Sequence, residues 1–513
     1  MMEAGSRHQI VVVGNGMAGL RFVQDVVAVD HGQRFQITVI GEESGAAYNR
    51  ILLSNLLAGR TTPADVVLAS ESWYSDHDIN LVTGVRVDRL DRATRQVRLA
   101  DGRFLDYDTL VLATGSDAVR PPFPGLMGEA GVPIDGVLAF RTLDDCIEID
   151  RLAERADHAV VVGAGVLGIE AARALAGRGL DVTLLSRGDR LMERQLDDGA
   201  SRLMARAATG LGISLRSGAL ARVVSGHGHI QGVVLESGVT LPADVLVLCC
   251  GVRPRIELAE AAGLSIERGI VVDDRLRSIS DPRIVAIGEC AEHRGRLYGL
   301  VAPVWEQARV AALAVLDESS PVAYSGSPEV VRLKAAGIEL ACLGDSTVGG
   351  ADDDIPEGTD VVRYVDTARG IYHKLVVRND RLAGAIVLGD TRVVGTLTQL
   401  FDRQTVLPAD RAPLLIVRRN GTPTVVQSPT LLPGRATICQ CNGVTKSAIC
   451  SAWSGGARSV VEIADATRAT TGCGTCRDTV EGLLEWLDAA DAGATEDVAG
   501  QRDPAGVSEA VPA

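Results

Sequence analysis

One pattern occurs twice in this chain and limits its architecture more than any other feature. Residues 10–20 read IVVVGNGMAGL and residues 160–169 read VVVGAGVLGI, each an apolar run entering G-x-G-x-x-G and leaving into an Ala-rich stretch. A lone G-x-G-x-x-G says little, but an apolar strand before it and a helix-forming run after it give it meaning. The first glycine (Gly14, Gly163) permits a tight turn, and the second (Gly16, Gly165) lets a pyrophosphate approach the backbone. The third (Gly19, Gly168) lets helix and strand pack closely, so that the helix N-terminus faces the phosphates. Both copies run on into a further strand, ITVI at 37–40 and DVTLL at 181–185. The chain therefore reads as two βαβ units with first glycines 149 residues apart, hence two dinucleotide sites.

Composition agrees with an α/β protein. Of 513 residues, 56 are glycine and only 3% are aromatic, with 46% apolar and 23% charged, unlike a collagenous, disordered or disulfide-stapled chain. The length suits three or four compact domains. A net charge of −15 argues against nucleic acid as a partner, because neutralising phosphates needs clustered Lys and Arg. No stretch approaches the ~18 consecutive apolar residues of a membrane span. The opening MMEAGSRHQIVVVGNG lacks the basic region and small-residue cleavage site of a secretory signal. The expectation is a cytoplasmic protein with reduced thiols.

Further apolar runs end in turn-like glycine: TLVLATGS at 109–116, DVLVLCCGVRP at 244–254 and RIVAIGECA at 283–291. Beyond about residue 320, runs such as GIYHKLVVR and LAGAIVLGD read as a small α/β domain. TPTVVQSPTLLPGR at 422–435 reads as a linker, and the Pro/Gly-containing residues 491–513 as a disordered tail.

Glu42 stands 23 residues after Gly19, at the end of the second strand, where an acidic residue accepts hydrogen bonds from a ribose. The second copy has Ser186 and Arg187 at that place. With no carboxylate to repel a 2′-phosphate and an Arg to bind one, this site favours NADPH over NADH. Near the C-terminus Cys439-x-Cys441 is followed thirty-one residues later by Cys473-x-x-Cys476. Four thiolates in close pairs can hold an iron–sulfur cluster or a tetrahedral zinc, and spacing alone does not choose between them. A flavin and a nicotinamide in one chain give use to a one-electron carrier, which favours iron. The remaining cysteines, Cys450 included, read as small buried apolar residues.

The two fingerprints, ATG at 113–115 and AIGE at 286–289 resemble the two-dinucleotide flavoprotein family of pyridine nucleotide–disulfide and ferredoxin reductases. AAYNRILLSNLLAG (46–59), RLMERQLD (190–197) and AIGECAEHRGRLYGLVAPVWEQA (286–308) are similar to the FAD/NAD(P)H portion of assimilatory nitrite reductase large subunits. They are similar too to electron-transfer subunits of assimilatory nitrate reductases. The module from ICQCNGVTKSAIC to TGCGTC resembles the bacterioferritin-associated-ferredoxin-like [2Fe-2S] domain. The resemblance implies an α/β fold with two Rossmann-like domains, the nicotinamide domain inserted in the FAD domain. FAD-binding parts would span 8–122 and 253–318, around an NAD(P)H-binding domain at 123–252. A small α/β interface domain at 320–425 and a small helical [2Fe-2S] module at 436–490 would complete it.

Residue by residue, the resemblance implies FAD pyrophosphate at Gly14, Gly16 and Gly19 and adenosine ribose at Glu42. Arg50, Thr114 and Gly115 would lie near the FAD, and Glu289, where Asp is commoner, would hold the ribityl chain. Asn55 stands where some relatives have a flavin-proximal Lys. The nicotinamide site would comprise Gly163, Gly165, Gly168, Ser186 and Arg187, and the cluster ligands Cys439, Cys441, Cys473 and Cys476. No acid–base dyad is expected from the protein. The sequence ends after the cluster module, without the cysteines of a sirohaem and [4Fe-4S] region. The expectation is thus an oxidoreductase that passes electrons from NAD(P)H through FAD and a [2Fe-2S] cluster to a molybdopterin nitrate reductase subunit. The alternatives are a ferredoxin or rubredoxin reductase, and a nucleotide-binding zinc or redox sensor.

Overall fold

The computed structural model describes residues 7–30, 34–127, 131–216, 221–226, 228–333, 335, 337–350, 355–416, 432–439, 442–471 and 476–499. It divides into two units, 1–420 and 421–513.

In the first unit the IVVV run is the strand His8–Val13, which pairs in parallel with Phe35–Ile40 on one side and Thr109–Leu112 on the other. Strands Ile79–Val82 and Asp281–Ala286 extend this parallel run at either end. Ile10, Val12, Leu110, Leu112 and Ile284 are wholly buried. Near-continuous apolar runs are what strands covered on both faces require. The covering helices include Met17–Asp30 and Val301–Leu316, which pack on each other. The register makes Val13, Ile40 and Leu112 end level, so Gly14, Gly41 and Ala113 leave the sheet side by side. Ligands of open α/β sheets bind at such carboxyl ends. The strand at 281–286 reaches this sheet only after an excursion of about 170 residues, as the resemblance implied for an interrupted outer domain.

The excursion builds a second sheet, parallel throughout, in the order Ile213–Arg216, Asp181–Leu185, His158–Val162, Val245–Leu248, Val137–Ala139. Its fingerprint strand pairs over Val162 with Leu185 and Leu248, repeating the level ending of the first copy. The two Rossmann-like sheets match the expected fold class.

Residues 330–388 form an antiparallel five-stranded sheet with the helix Val394–Arg403 against it. Leu340, Cys342, Tyr372 and Ile386 share one apolar core with Ala200 and Met204 of the second nucleotide unit. Within this contact Lys374 is wholly buried and its Nζ donates to Asp197 Oδ2 at 2.6 Å, where Tyr372 Oη also donates at 2.7 Å. Burial opposes ionisation of Asp197. The Ala200 N–H, the ammonium and the hydroxyl outweigh it and hold the carboxyl below its usual range.

The second unit has a hairpin of Thr437–Cys439 and Val444–Thr445, then helices Lys446–Ser454, Val460–Thr467 and Arg477–Ala499. The last helix carries nine residues, 491–499, that the sequence reading assigned to a disordered tail; the run DAGATEDVA contains no proline to stop the helix, and its three alanines favour it. Most of the segment read as a linker lies outside the described residues. Among the described residues no helix is long and apolar enough to cross a membrane.

Candidate functional site

The glycines of both copies sit in the same frame. At Gly14 (φ 121°) an added Cβ would overlap the carbonyl oxygen of Ala113, and at Gly163 (φ 113°) that of Cys249. A Cβ on Gly19 would overlap the Gly14 carbonyl, and one on Gly168 the Gly163 carbonyl. At Gly16 and Gly165 nothing lies within 4 Å. The outer glycines are therefore demanded by packing within the chain, while the middle ones leave room for a ligand's phosphates.

Above the first frame lies a cleft of about 720 Å³, a size common for cofactor sites. Gly14, Gly16, Glu42, Arg50, Thr114, Gly115 and Glu289 all line it. Gly19 supports the frame from behind, and Asn55 is not among the lining residues. Glu42 pairs with Arg255 at 2.7 Å, which also donates to Asp117 at 2.5 Å. Arg50 pairs with Glu43, stacks over the Tyr48 ring and donates to the Arg141 carbonyl at 3.1 Å. Tyr48 Oη donates to Glu43 at 2.6 Å and accepts from Leu143 N–H at 3.0 Å. Glu289 accepts from Ser116 Oγ at 2.6 Å and pairs with Arg141. Thr114 Oγ1 donates to the Arg255 carbonyl at 2.8 Å.

Six of these residues were missed in the sequence: Glu43, Tyr48, Ser116, Asp117, Arg141 and Arg255. Arg141 lines the cleft with a buried Nε that lacks a hydrogen-bond partner, a donor left for a bound molecule. Its local signal was the capping box of Thr142 and Asp145, which starts the helix Leu143–Ala153 and fixes the residue just before it. An apolar floor at Val304 and Ile287, an open glycine and these convergent charges fit FAD.

The second frame is barer. Ser186 is buried and its N–H donates to the Arg216 carbonyl at 2.9 Å, while Arg187 is exposed. Cys249 and Cys250 follow the neighbouring strand. Burial pushes the Cys250 thiol up to about 11 and the Cys249 thiol higher, so neither is a thiolate nucleophile at neutral pH.

In the second unit Cys439, at the end of the strand Thr437–Cys439, and Cys476, just before the helix Arg477–Ala499, are buried. Cys441 and Cys473 lie outside the described residues. Cys450 is only half-buried, on the helix Lys446–Ser454, rather than fully buried as expected. The Asn442 amide donates toward Cys439 Sγ at 3.8 Å. Sulfur ligands with an N–H donor aimed at them fit a [2Fe-2S] cluster.

Residues 8–313 match the pyridine nucleotide-disulphide oxidoreductase family. This chain belongs to that family. Two further matches extend the pyridine nucleotide-disulphide oxidoreductase core: the rubredoxin NAD+ reductase C-terminal domain at 330–405 and a BFD-like [2Fe-2S] binding domain at 437–486. FAD and a [2Fe-2S] cluster are accordingly the cofactors of this family member. It is 36% identical over 482 residues to the assimilatory nitrate reductase electron transfer subunit of Bacillus subtilis (strain 168), covering 94% of this chain and 60% of that one. It is 32% identical to the nitrite reductase (NADH) large subunit of Escherichia coli (strain K12), covering 93% of this chain and 55% of that one. The chain thus spans little more than half the length of these relatives. Among solved structures, putidaredoxin reductase in its covalent complex with putidaredoxin matches with a TM-score of 0.70 and 27% identity, over 80% of this chain and 98% of that one.

Proposed function

We propose that this chain is an NAD(P)H-dependent flavoprotein reductase that delivers single electrons through its cluster module to a dedicated redox partner, a molybdopterin nitrate reductase subunit. The observation that carries the reading is one chain holding two nucleotide frames, the first opening onto a charged cleft, and a BFD-like module. In this reading Gly14 and Gly16 receive the FAD pyrophosphate at the N-terminus of Met17–Asp30, with Gly19 keeping helix and strand close. Glu42 accepts from the adenosine ribose, and Glu289, oriented by Ser116 and Arg141, accepts from the ribityl hydroxyls. Arg50 fixes the cleft wall through Glu43 and the Arg141 carbonyl, and Thr114 and Gly115 shape its floor. Gly163, Gly165 and Gly168 cradle the nicotinamide dinucleotide, with Ser186 and Arg187 meeting its adenosine end and Arg187 favouring a 2′-phosphate. Bound in the first cleft, FAD would supply the conversion of a two-electron hydride into single electrons. The protein contributes placement and exclusion of water, and the described site offers no acid–base dyad.

The partner assignment draws on the nitrate and nitrite reductase relatives, and the net charge of −15 disfavours a freely diffusing acidic carrier. A second reading, reduction of a ferredoxin or rubredoxin, is favoured by the match at 330–405 and by the likeness to putidaredoxin reductase. A cytoplasmic location suits the unbridged Cys146, Cys249, Cys250, Cys290 and Cys342.

The test is an anaerobic visible spectrum before and after NADPH, with iron and zinc quantified on the same sample. Flavin bands and about two irons per chain, both bleached, are expected. Zinc in place of iron would remove the relay, and a colourless protein would overturn the enzymatic reading. Rates with a nitrate reductase subunit against those with ferredoxin then separate the two acceptors.

A further inference from the structure

Asn442 is the only asparagine in residues 421–513 and follows Cys441 directly. Its Nδ2 lies 2.6 Å from the Arg468 carbonyl, 3.1 Å from Thr471 Oγ1 and 3.8 Å from Cys439 Sγ. The Arg468 carbonyl can only accept, so the nitrogen and not the oxygen of the amide must face it. That fixes the orientation and leaves the second N–H for the hydroxyl and the sulfur. The loop it grips is conformationally costly. Arg468 (φ 65°) caps the helix Val460–Thr467 in the left-handed region, and Thr470 (φ 69°) is left-handed as well. Non-glycine residues held there are strained and persist where their surroundings over-determine them. This loop leads directly into Cys473 and Cys476.

From this geometry we infer that Asn442 is the positioning residue of the cluster site: it ties the end of the strand Thr437–Cys439 to the Arg468–Thr471 loop, and its N–H tunes the potential through the Cys439 sulfur. The inference rests on the [2Fe-2S] reading of the module. Reduction adds negative charge that spreads onto the ligand sulfurs, and an N–H donor at sulfur stabilises the reduced form more than the oxidised one. The side chain therefore raises the potential and eases electron arrival.

The experiment uses the full-length chain and its Asn442→Ala variant, with iron content and an EPR-monitored redox titration. With iron retained, the variant should show a midpoint potential lower by about 59 mV, a tenfold change in the one-electron equilibrium. Retained iron with an unchanged potential overturns the role of Asn442 and leaves the cluster reading intact. Wild-type chain containing no iron overturns the cluster reading and this inference together. Should the variant not hold iron, wild-type chain labelled with ¹⁵N at the asparagine side-chain amide decides. A ¹⁵N coupling in the pulsed EPR spectrum of the reduced cluster supports the contact, and its absence overturns it.

Discussion

The two nucleotide frames are nearly superimposable in what they forbid and differ in what surrounds them. In both, the outer glycines sit against carbonyl oxygens of their own sheet and the middle glycine is open. The first is ringed by three charged pairs, Glu42–Arg255, Glu43–Arg50 and Glu289–Arg141. The second offers a buried serine and an exposed arginine. The difference suits a resident cofactor held from many sides against a substrate that must leave after each turnover. The domain that carries the second frame instead invests in structure: it shares its core with the sheet at 330–388 and is tied to it by the Lys374–Asp197 pair.

That tie gives the largest expected effect. Lys374→Met leaves Asp197 charged, buried and short of a partner, and should cost about 3–5 kcal/mol in denaturant unfolding. A loss below about 1 kcal/mol would mean the pair is dispensable and the sheet docks through apolar contact alone. The same pair has a pH signature. Because the folded carboxyl is held below the ordinary range of an aspartate, its stabilisation is fully present above that ordinary range. It is lost as pH falls through the lower folded value, and Lys374→Met should weaken this acid dependence.

Next come the open glycines, whose substitution leaves the fold intact. Gly16→Ala should release FAD, reducing flavin content at purification about tenfold or more, with unchanged circular dichroism. Gly165→Ala should keep its flavin and raise KM for NAD(P)H about tenfold instead. Flavin loss from Gly165→Ala would interchange the two sites. The smallest effect concerns the adenosine end of the second frame. Arg187→Ala should raise KM for NADPH by up to about tenfold and leave KM for NADH alone. Equal changes for both would remove the 2′-phosphate assignment.

The frames were legible in the sequence because their meaning is local: strand, turn and helix lie within twenty residues and each glycine answers to its own neighbours. Glu42 was legible for the same reason, standing at the end of the adjacent strand. Arg141 and Arg255 were not, since they arrive from a helix entrance and a crossover more than ninety residues away from the first fingerprint. No periodicity marks such a residue. Glu43 was hidden by its neighbour, because at the end of a strand only geometry tells which of two adjacent carboxylates meets which arginine. The buried Lys374 lies between His373 and the apolar run Leu375–Val377 of its strand, and its partner is on the cap of a distant helix, Asp198–Gly210.

The return of residues 281–286 to the first sheet also orders events on the ribosome. Until that strand emerges, Thr109–Leu112 is an unpaired edge of wholly apolar character on its inner positions. At about 5–20 residues per second the gap of roughly 170 residues lasts on the order of 10 s. The strands of the inserted sheet, by contrast, all lie between 137 and 248, and it can close during that wait. The nascent chain thus completes its inner part before its outer one, and the open edge is where a chaperone or a stray strand would meet it.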